Sequence, residues 1–434
     1  MKRILTLTLI LLQALPVLAQ PDTTAWKSHK FTINSNIWTR GEYRKGAMPI
    51  DNGADYALFL MGSATLSFDY TWKGLEVRFA PRFAGVWGAS TTGGLVIDEA
   101  WFGLQHRSGL FFRMGRQKLA YDDERIFGSE DWSMVSLKHD MVKAGLERGA
   151  HKIHLMFAFN QNDENINGGT YYINGGQPYK SMQSLWYHVD PIPQLGLSAV
   201  FINTGMQNEL DKYKDQNITE YQQLFGAYAD FHPKNFRLQA SYYRQTGHEE
   251  HGLPIHAWMA AAELDWCISS QWGLNAGAFY MSGDENFFVP PLGDLGVALK
   301  KEVRGFNPIF GSHHKFYGAM DFFYVRTYYG GNTPGLQDYH IGAKWNPIRP
   351  LSFAANYHFL ATAVKIQEAS RALGHEVEVG IQWDLMENVS LQAGYSYMKG
   401  TDTMTILKRT SDKNSLHWAW FMFTVTPEIF SYRK

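Results

Sequence analysis

The stretch Gly74–Gln117 reads GLEVRFAPRFAGVWGASTTGGLVIDEAWFGLQHRSGLFFRMGRQ, and its alternation decides the fold class. From Leu75 to Phe83, the residues Leu75, Val77, Phe79, Pro81 and Phe83 fall on one face, and Glu76, Arg78, Ala80 and Arg82 on the other. A period of two marks a strand with unlike faces. The short turn His106–Gly109 joins two such segments. Alternation alone does not say which face is wet. A soluble sandwich hides its apolar face, whereas a transmembrane barrel turns that face to lipid and keeps the polar one inside.

The N-terminus narrows the choice. Lys2 and Arg3, the apolar run Ile4–Leu15, and the small residues Val17 and Ala19 form a secretory leader over residues 1–19, with cleavage expected before Gln20. No later run approaches the roughly 20 uncharged apolar residues of a membrane helix. The chain therefore reads as one exported domain, residues 20–434, and not as a helical inner-membrane protein. Aromatic residues make up 15% of it and glycine contributes 40 residues, a mixture that suits strands, interfacial belts and tight turns. A lone Cys267 rules out an intramolecular disulfide framework and a cysteine-cluster metal site. Without Lys2 and Arg3 the chain carries 38 basic and 41 acidic residues, a formal charge of −3. That balance gives no sign of nucleic acid as a partner.

The spacing of turns extends the argument along the chain. Short turns near positions 73, 107, 149, 192, 233, 270, 348 and 387 join sixteen strands, and Phe31–Arg44 and Leu416–Thr426 make eighteen. Connections between the short turns are longer. Short turns on one side and long loops on the other, with an even strand count, predict an all-β fold: a closed antiparallel transmembrane β-barrel of eighteen strands with long extracellular loops. Residues 282–334 interrupt the rhythm. Parity makes them one long excursion, folded into the mouth or lumen, or a region adding two short strands. The chemistry of the faces agrees with a wet interior. Glu263 and Asp265 share a face with Ala257, Met259 and Ala261, while Glu376, Glu378, Gln382 and Asp384 oppose Val377, Val379, Ile381 and Trp383. Pro427, following Leu416–Thr426, is expected to stop the last ladder.

Two segments, IDEAWFGLQ (97–105) and MGRQKLAYDDERIFGSEDW (114–132), together with Arg125, Gly128 and Trp132, resemble the alginate-export family of outer-membrane β-barrels in its Bacteroidetes form. The resemblance extends over most of the chain after the leader. It implies a monomeric eighteen-stranded barrel and an electropositive passage for an anionic polysaccharide.

The residues themselves leave two readings of the lumen open. Arg40, Arg44, Arg78, Arg82, Arg113, Arg116 and Arg125 form either a selective basic track for anions or, interleaved with Glu42, Glu76 and Glu99, a self-neutralising network that stiffens wall and loops. A bulge would shift the phase near Arg113–Lys118. Asp122, Asp123 and Glu124 resemble a cation cluster, as do Asp284 and Glu285 more weakly, but adjacent side chains diverge unless a turn gathers them. His248, Glu249, Glu250 and His251, or His313 and His314, offer zinc-type ligands without the HExxH helix motif, and read as solvated loop. No metal or cofactor is therefore expected. No GxSxG elbow supports a hydrolase, although a barrel enzyme can assemble its site across strands. The combined reading is a passive outer-membrane channel for polar or anionic solutes, in contact with lipid. A structural barrel inside a larger envelope complex is the alternative, its loops 161–180 and 282–334 engaging a protein or glycan partner.

Overall fold

The computed structural model describes residues 28–46, 55–89, 94–161, 164, 179–208, 210, 217–285, 287, 301–323, 333–410, 413–414 and 416–434. The leader, the Asn52-Gly53 loop, and most of 161–180 lie outside these residues, as do parts of 282–334. The wall comprises β1 (Lys30–Lys45), β2 (Ala57–Trp72), β3 (Leu75–Val86), β4 (Gly94–Gln105), β5 (Leu110–Gln117), β6 (His139–Arg148), β7 (His151–Phe159), β8 (Ser181–Ile192) and β9 (Leu195–Gln207). It continues through β10 (Thr219–Phe231), β11 (Phe236–Gly247), β12 (Ala257–Cys267), β13 (Trp272–Met281), β14 (Leu336–Ile348), β15 (Leu351–Ala361), β16 (Ala372–Met386), β17 (Val389–Gly400), β18 (Leu416–Val425) and β19 (Glu428–Arg433). From β1 to β18 each strand pairs antiparallel with the next in sequence, and β1 closes the sheet against β18 and β19.

Nineteen segments make eighteen wall positions because β18 and β19 are two halves of one strand. β1 pairs with β18 from Ile37↔Val425 to Lys45↔His417, then with β19 from Asn34↔Glu428 to Lys30↔Arg433. Pro427 therefore does not stop the ladder, correcting the expectation from sequence. On its other side β18 loses its partner at Val389↔Val425, so Pro427 has no neighbour there that needs its missing N–H. Its carbonyl still accepts from Ser35 N at 3.1 Å.

Alternation sorts the faces. Val77, Phe79 and Phe83 are exposed on the outside, whereas Ala80 and Arg82 are buried within. On β12, Trp258, Leu264 and Trp266 face outward, and Ala257, Met259 and Ala261 face the interior. Outer aromatics gather in two belts. Tyr242, Trp258 and Tyr280 stack near the strand ends opposite the short turns, with centroids 6.2 and 4.7 Å apart, and Trp272, Trp345 and Phe353 stack near the short turns at 5.6 and 5.5 Å. Trp258 and Trp266 lie about 26 Å apart along one strand at ~3.3 Å per residue, matching a tilted span through hydrocarbon. Closure leaves no unpaired edge in lipid.

The buried core lies inside the barrel. Phe127, Tyr179, Phe306, Phe310, Tyr317, Met320, Phe322 and Phe323 come from connections between strands, and they pack on inward wall residues such as Met156, Leu224 and Trp418. Among the described residues between β13 and β14 there is a 3-10 turn, His313–Lys315. The connection from β17 to β18 holds helix α1 (Asp402–Lys408), capped by Thr401, whose hydroxyl accepts from Met404 N, and ended by Arg409 in the left-handed region. Its Met404 and Leu407 are buried.

Candidate functional site: a lumen crossed by two folded segments

The connection 118–138 leaves β5 and touches the wall around much of its circumference. Lys118 meets Asp98 of β4 at 2.9 Å, and the Tyr121 hydroxyl lies 2.8 Å from His154 Nδ1 of β7. Asp122 accepts from Trp186 Nε1 of β8 at 3.2 Å and from Ser198 Oγ of β9 at 2.6 Å. Arg125 Nη2 reaches Glu263 of β12 at 2.6 Å. The Trp132 carbonyl accepts from Arg40 Nη1 of β1 at 2.8 Å, and its ring meets Trp420 of β18 edge-on at 4.8 Å. Strands β1 and β9 stand about half a circumference apart, so only a path through the lumen connects them.

A second segment, 301–323, docks on the first. Phe127 and Phe310 form a parallel bridge and stack at 5.5 Å. Ser312 N donates to the Glu124 carbonyl at 2.9 Å, and Gly128 N to the Phe310 carbonyl at 2.8 Å. A Cβ on Gly128 would lie 2.2 Å from Ser312 Oγ, which is why the two backbones approach so closely there. The segment is tied to the wall through Gln245 of β11, which exchanges hydrogen bonds with Asn307 at 2.6 and 3.0 Å, and through Glu376 of β16, which accepts from Met320 N at 2.9 Å. Burial of each large aromatic in this cluster contributes about 1.5–3 kcal/mol. These segments are therefore fixed parts of the lumen that narrow it.

Charges group by position. Arg40 and Arg44 both bind Glu42, at 2.8 and 2.7 Å, and Trp418 Nε1 donates to the same carboxylate at 3.0 Å. The Arg40 guanidinium also lies 4.1 Å from the Trp132 ring centroid. This buried cluster anchors the crossing segment to the seam between β1 and β18. Arg82 joins Asp98 at 2.8 Å and Asp131 at 3.2 Å, and Asp98 further accepts from Ser136 Oγ at 2.6 Å. Arg125 is enclosed between Asp123 at 3.0 Å and Glu263, with its guanidinium 3.9 Å from the Phe316 ring centroid. Arg78 and Arg113 are the more accessible pair: Arg78 meets Glu99 at 2.8 Å and Asp69 at 3.2 Å, and Arg113 meets Glu76 at 2.9 Å.

Arg116 departs from the lumen group. It alternates between inward Arg113 and buried Gln117 and stands opposite Ala100, on the same face as exposed Met114 and Phe102. Its bidentate contact with Asp140, at 2.7 and 2.8 Å, therefore lies on the outer surface. Gly115 takes a φ of +124°, yet the pairing on both sides runs through it without a slip, so no bulge restores Arg116 to the interior.

The acidic run 122–124 also disperses. Asp122 binds the wall, Asp123 binds Arg125, and Glu124 Oε2 accepts from Ser312 Oγ at 3.0 Å. Burial pushes the Asp122 and Glu130 carboxyls above their ordinary values. Asp284 is spent on backbone N–H groups of Arg304, Gly305 and Thr333. Two clusters of metal-ligating type stand among the described residues: half-buried Glu249 and Glu250 with exposed His251, and Asp338, His340 and His358 inside the wall.

A sequence model described as Gram-negative porin matches residues 6–403. The chain belongs to the Gram-negative porin family. No curated protein matches the porin's sequence. Among solved structures, it is similar to Pseudomonas aeruginosa OccK2 (OpdF) in complex with glucuronate, with a TM-score of 0.62 at 9% identity, covering 92% of this chain and 98% of that one. It is also similar to P. aeruginosa OccK5 (OpdH), with a TM-score of 0.60 at 11% identity over 92% and 99%, and to Acinetobacter baumannii OccAB2, with a TM-score of 0.60 at 12% identity over 92% and 98%. These matches share the fold. Together with the porin assignment they overturn the resemblance to the alginate-export family, and the polysaccharide passage it implied falls with it. The porin is a passive channel of the outer membrane, embedded in lipid as a closed single-chain barrel.

Sequence reasoning missed Asp98 and Asp131 as the carboxylates shared by Arg82 and Lys118, and missed Asp338, His340 and His358. The signal for the latter was present as Asp338-Tyr339-His340, a same-face pair, followed by an inward His358 on the next strand.

Proposed function

We propose that the porin passes small hydrated polar solutes, anions among them, past a constriction with balanced charge. The arrangement of connection 118–138 carries this reading, because a fixed crossing segment sets an upper size for the solute. Arg78 and Arg113 each face a carboxylate, so the accessible lining favours dipolar solutes over one sign of charge. The glucuronate bound by OccK2 is a solute of the same size class. Residues 1–19 are proposed as the leader removed on export, which an intact mass beginning at Gln20 would support. Liposome swelling with size-matched neutral, anionic and cationic sugars tests the proposal. Rates should fall with size and differ by less than about tenfold between charges. An anion preference of about a hundredfold would mean an unbalanced basic field and overturn it.

A further inference from the structure

Asp338 and His340 occupy one inward face of β14, and His358 of β15 is the direct register partner of His340. The two imidazoles stack with centroids 4.9 Å apart and an interplanar angle of 29°. Both Nδ1 atoms face one carboxylate: His358 Nδ1 lies 2.9 Å from Asp338 Oδ1, and His340 Nδ1 lies 3.7 Å from Asp338 Oδ2. These separations bracket the roughly 3.4 Å edge of a tetrahedron with ~2.1 Å metal–ligand bonds. Asp338 is almost fully buried, and His340 Nδ1 is a buried nitrogen without a hydrogen-bond partner.

The far side of each ring makes a different contact. His340 Nε2 lies 2.9 Å from Glu263 of β12, and His358 Nε2 lies 3.5 Å from Glu378 of β16. A carboxylate accepts, so Glu263 holds a proton on His340 Nε2, while Nδ1 faces Asp338 at a separation longer than a hydrogen bond. Carboxylates behind both histidines are the usual outer support of metal-bound imidazole. The surrounding charge points the same way. Glu263, Asp338, Glu376 and Glu378 gather on neighbouring strands, and Arg125, which meets Glu263, is shared with Asp123.

We propose that Asp338, His340 and His358 bind a divalent transition-metal ion of the zinc type, drawn from the lumen. The donor set of two imidazoles and one carboxylate is of borderline softness and selects Zn²⁺-class ions over Ca²⁺ or Mg²⁺.

The test is calorimetric titration of the folded, chelator-stripped porin with ZnCl₂, beside CaCl₂ as a control. One saturable Zn²⁺ equivalent is expected. His340→Ala and His358→Ala should each weaken it at least tenfold, and exposed His251→Ala, in the second cluster, should leave it unchanged. X-ray absorption at the zinc edge of the unmutated protein covers the case in which a variant fails to fold, and should show two imidazoles in the first shell. Absence of a saturable equivalent, retained affinity in the folded double variant His340→Ala/His358→Ala, or a first shell without paired imidazoles would overturn the site.

Discussion

Asp98 offers the sharpest perturbation of the lumen. It is 1% exposed and meets Arg82 at 2.8 Å, Lys118 at 2.9 Å and Lys138 at 4.0 Å, besides the Ser136 hydroxyl. Asp98→Asn keeps the shape and removes the charge. Breaking a buried pair by neutralising one partner costs about 3–5 kcal/mol. The low end applies here, about 3 kcal/mol, because Asp131 remains 3.2 Å from Arg82 and 2.6 Å from Lys118. The cost falls on the connection 118–138, which supplies Lys118, Ser136 and Lys138 to this carboxylate, because Asp98 sits where the β3–β4 register shifts from Ala80↔Glu99 to Pro81↔Ile97 and pairs with neither neighbour. At ~1.4 kcal/mol per tenfold, local opening of residues 119–138 should rise about a hundredfold. Hydrogen exchange on the folded variant reads this directly, and single-channel recording should show larger, noisier openings. Unchanged exchange and conductance in a correctly folded Asp98→Asn protein would refute the view that this carboxylate secures the constriction.

Other consequences follow from the same geometry. Arg78→Glu should shift the reversal potential under a salt gradient toward cations with barrel yield unchanged, whereas Arg82→Glu should loosen the crossing segment, as seen in exchange. Gly128→Ala should separate the two lumen segments, because the new Cβ would lie 2.2 Å from Ser312 Oγ, and should lower thermal stability by about 1–3 kcal/mol. Lys408 is held down to about 7 by burial beside Phe322 and Phe323. The unfolded lysine keeps its proton up to about pH 10.4, so docking of α1 should strengthen as pH rises from about 7 to 10 and stay flat below about pH 7, where both states are protonated. Lys408→Met should remove that dependence in hydrogen exchange of residues 402–408.

The wall was legible because each strand buries one face and wets the other, so a period-two pattern such as Val77, Phe79 and Phe83 against Arg78 and Arg82 survives in any single sequence. The order of short and long connections supplied the closure. What the sequence withheld was contact across the lumen. Nothing near Arg125 names Glu263, and nothing near Glu42 names Trp418, because curvature of a closed sheet brings them together and not local propensity. Arg116 was misplaced for a related reason: its side depends on whether Gly115 shifts the phase, and the register through that glycine shows it does not. The break at Pro427 was read as an end because a proline's missing donor matters only where a neighbour needs it, a fact of pairing absent from the sequence.

The central claim is a narrowed but conducting lumen with balanced charge. Single-channel conductance of the purified, folded porin in a planar bilayer, with reversal potential recorded across a salt gradient, tests it most directly. Discrete openings of a single barrel, with a reversal potential close to zero, are the predicted result. A silent barrel, or a reversal potential near the limit for anions, would contradict the account.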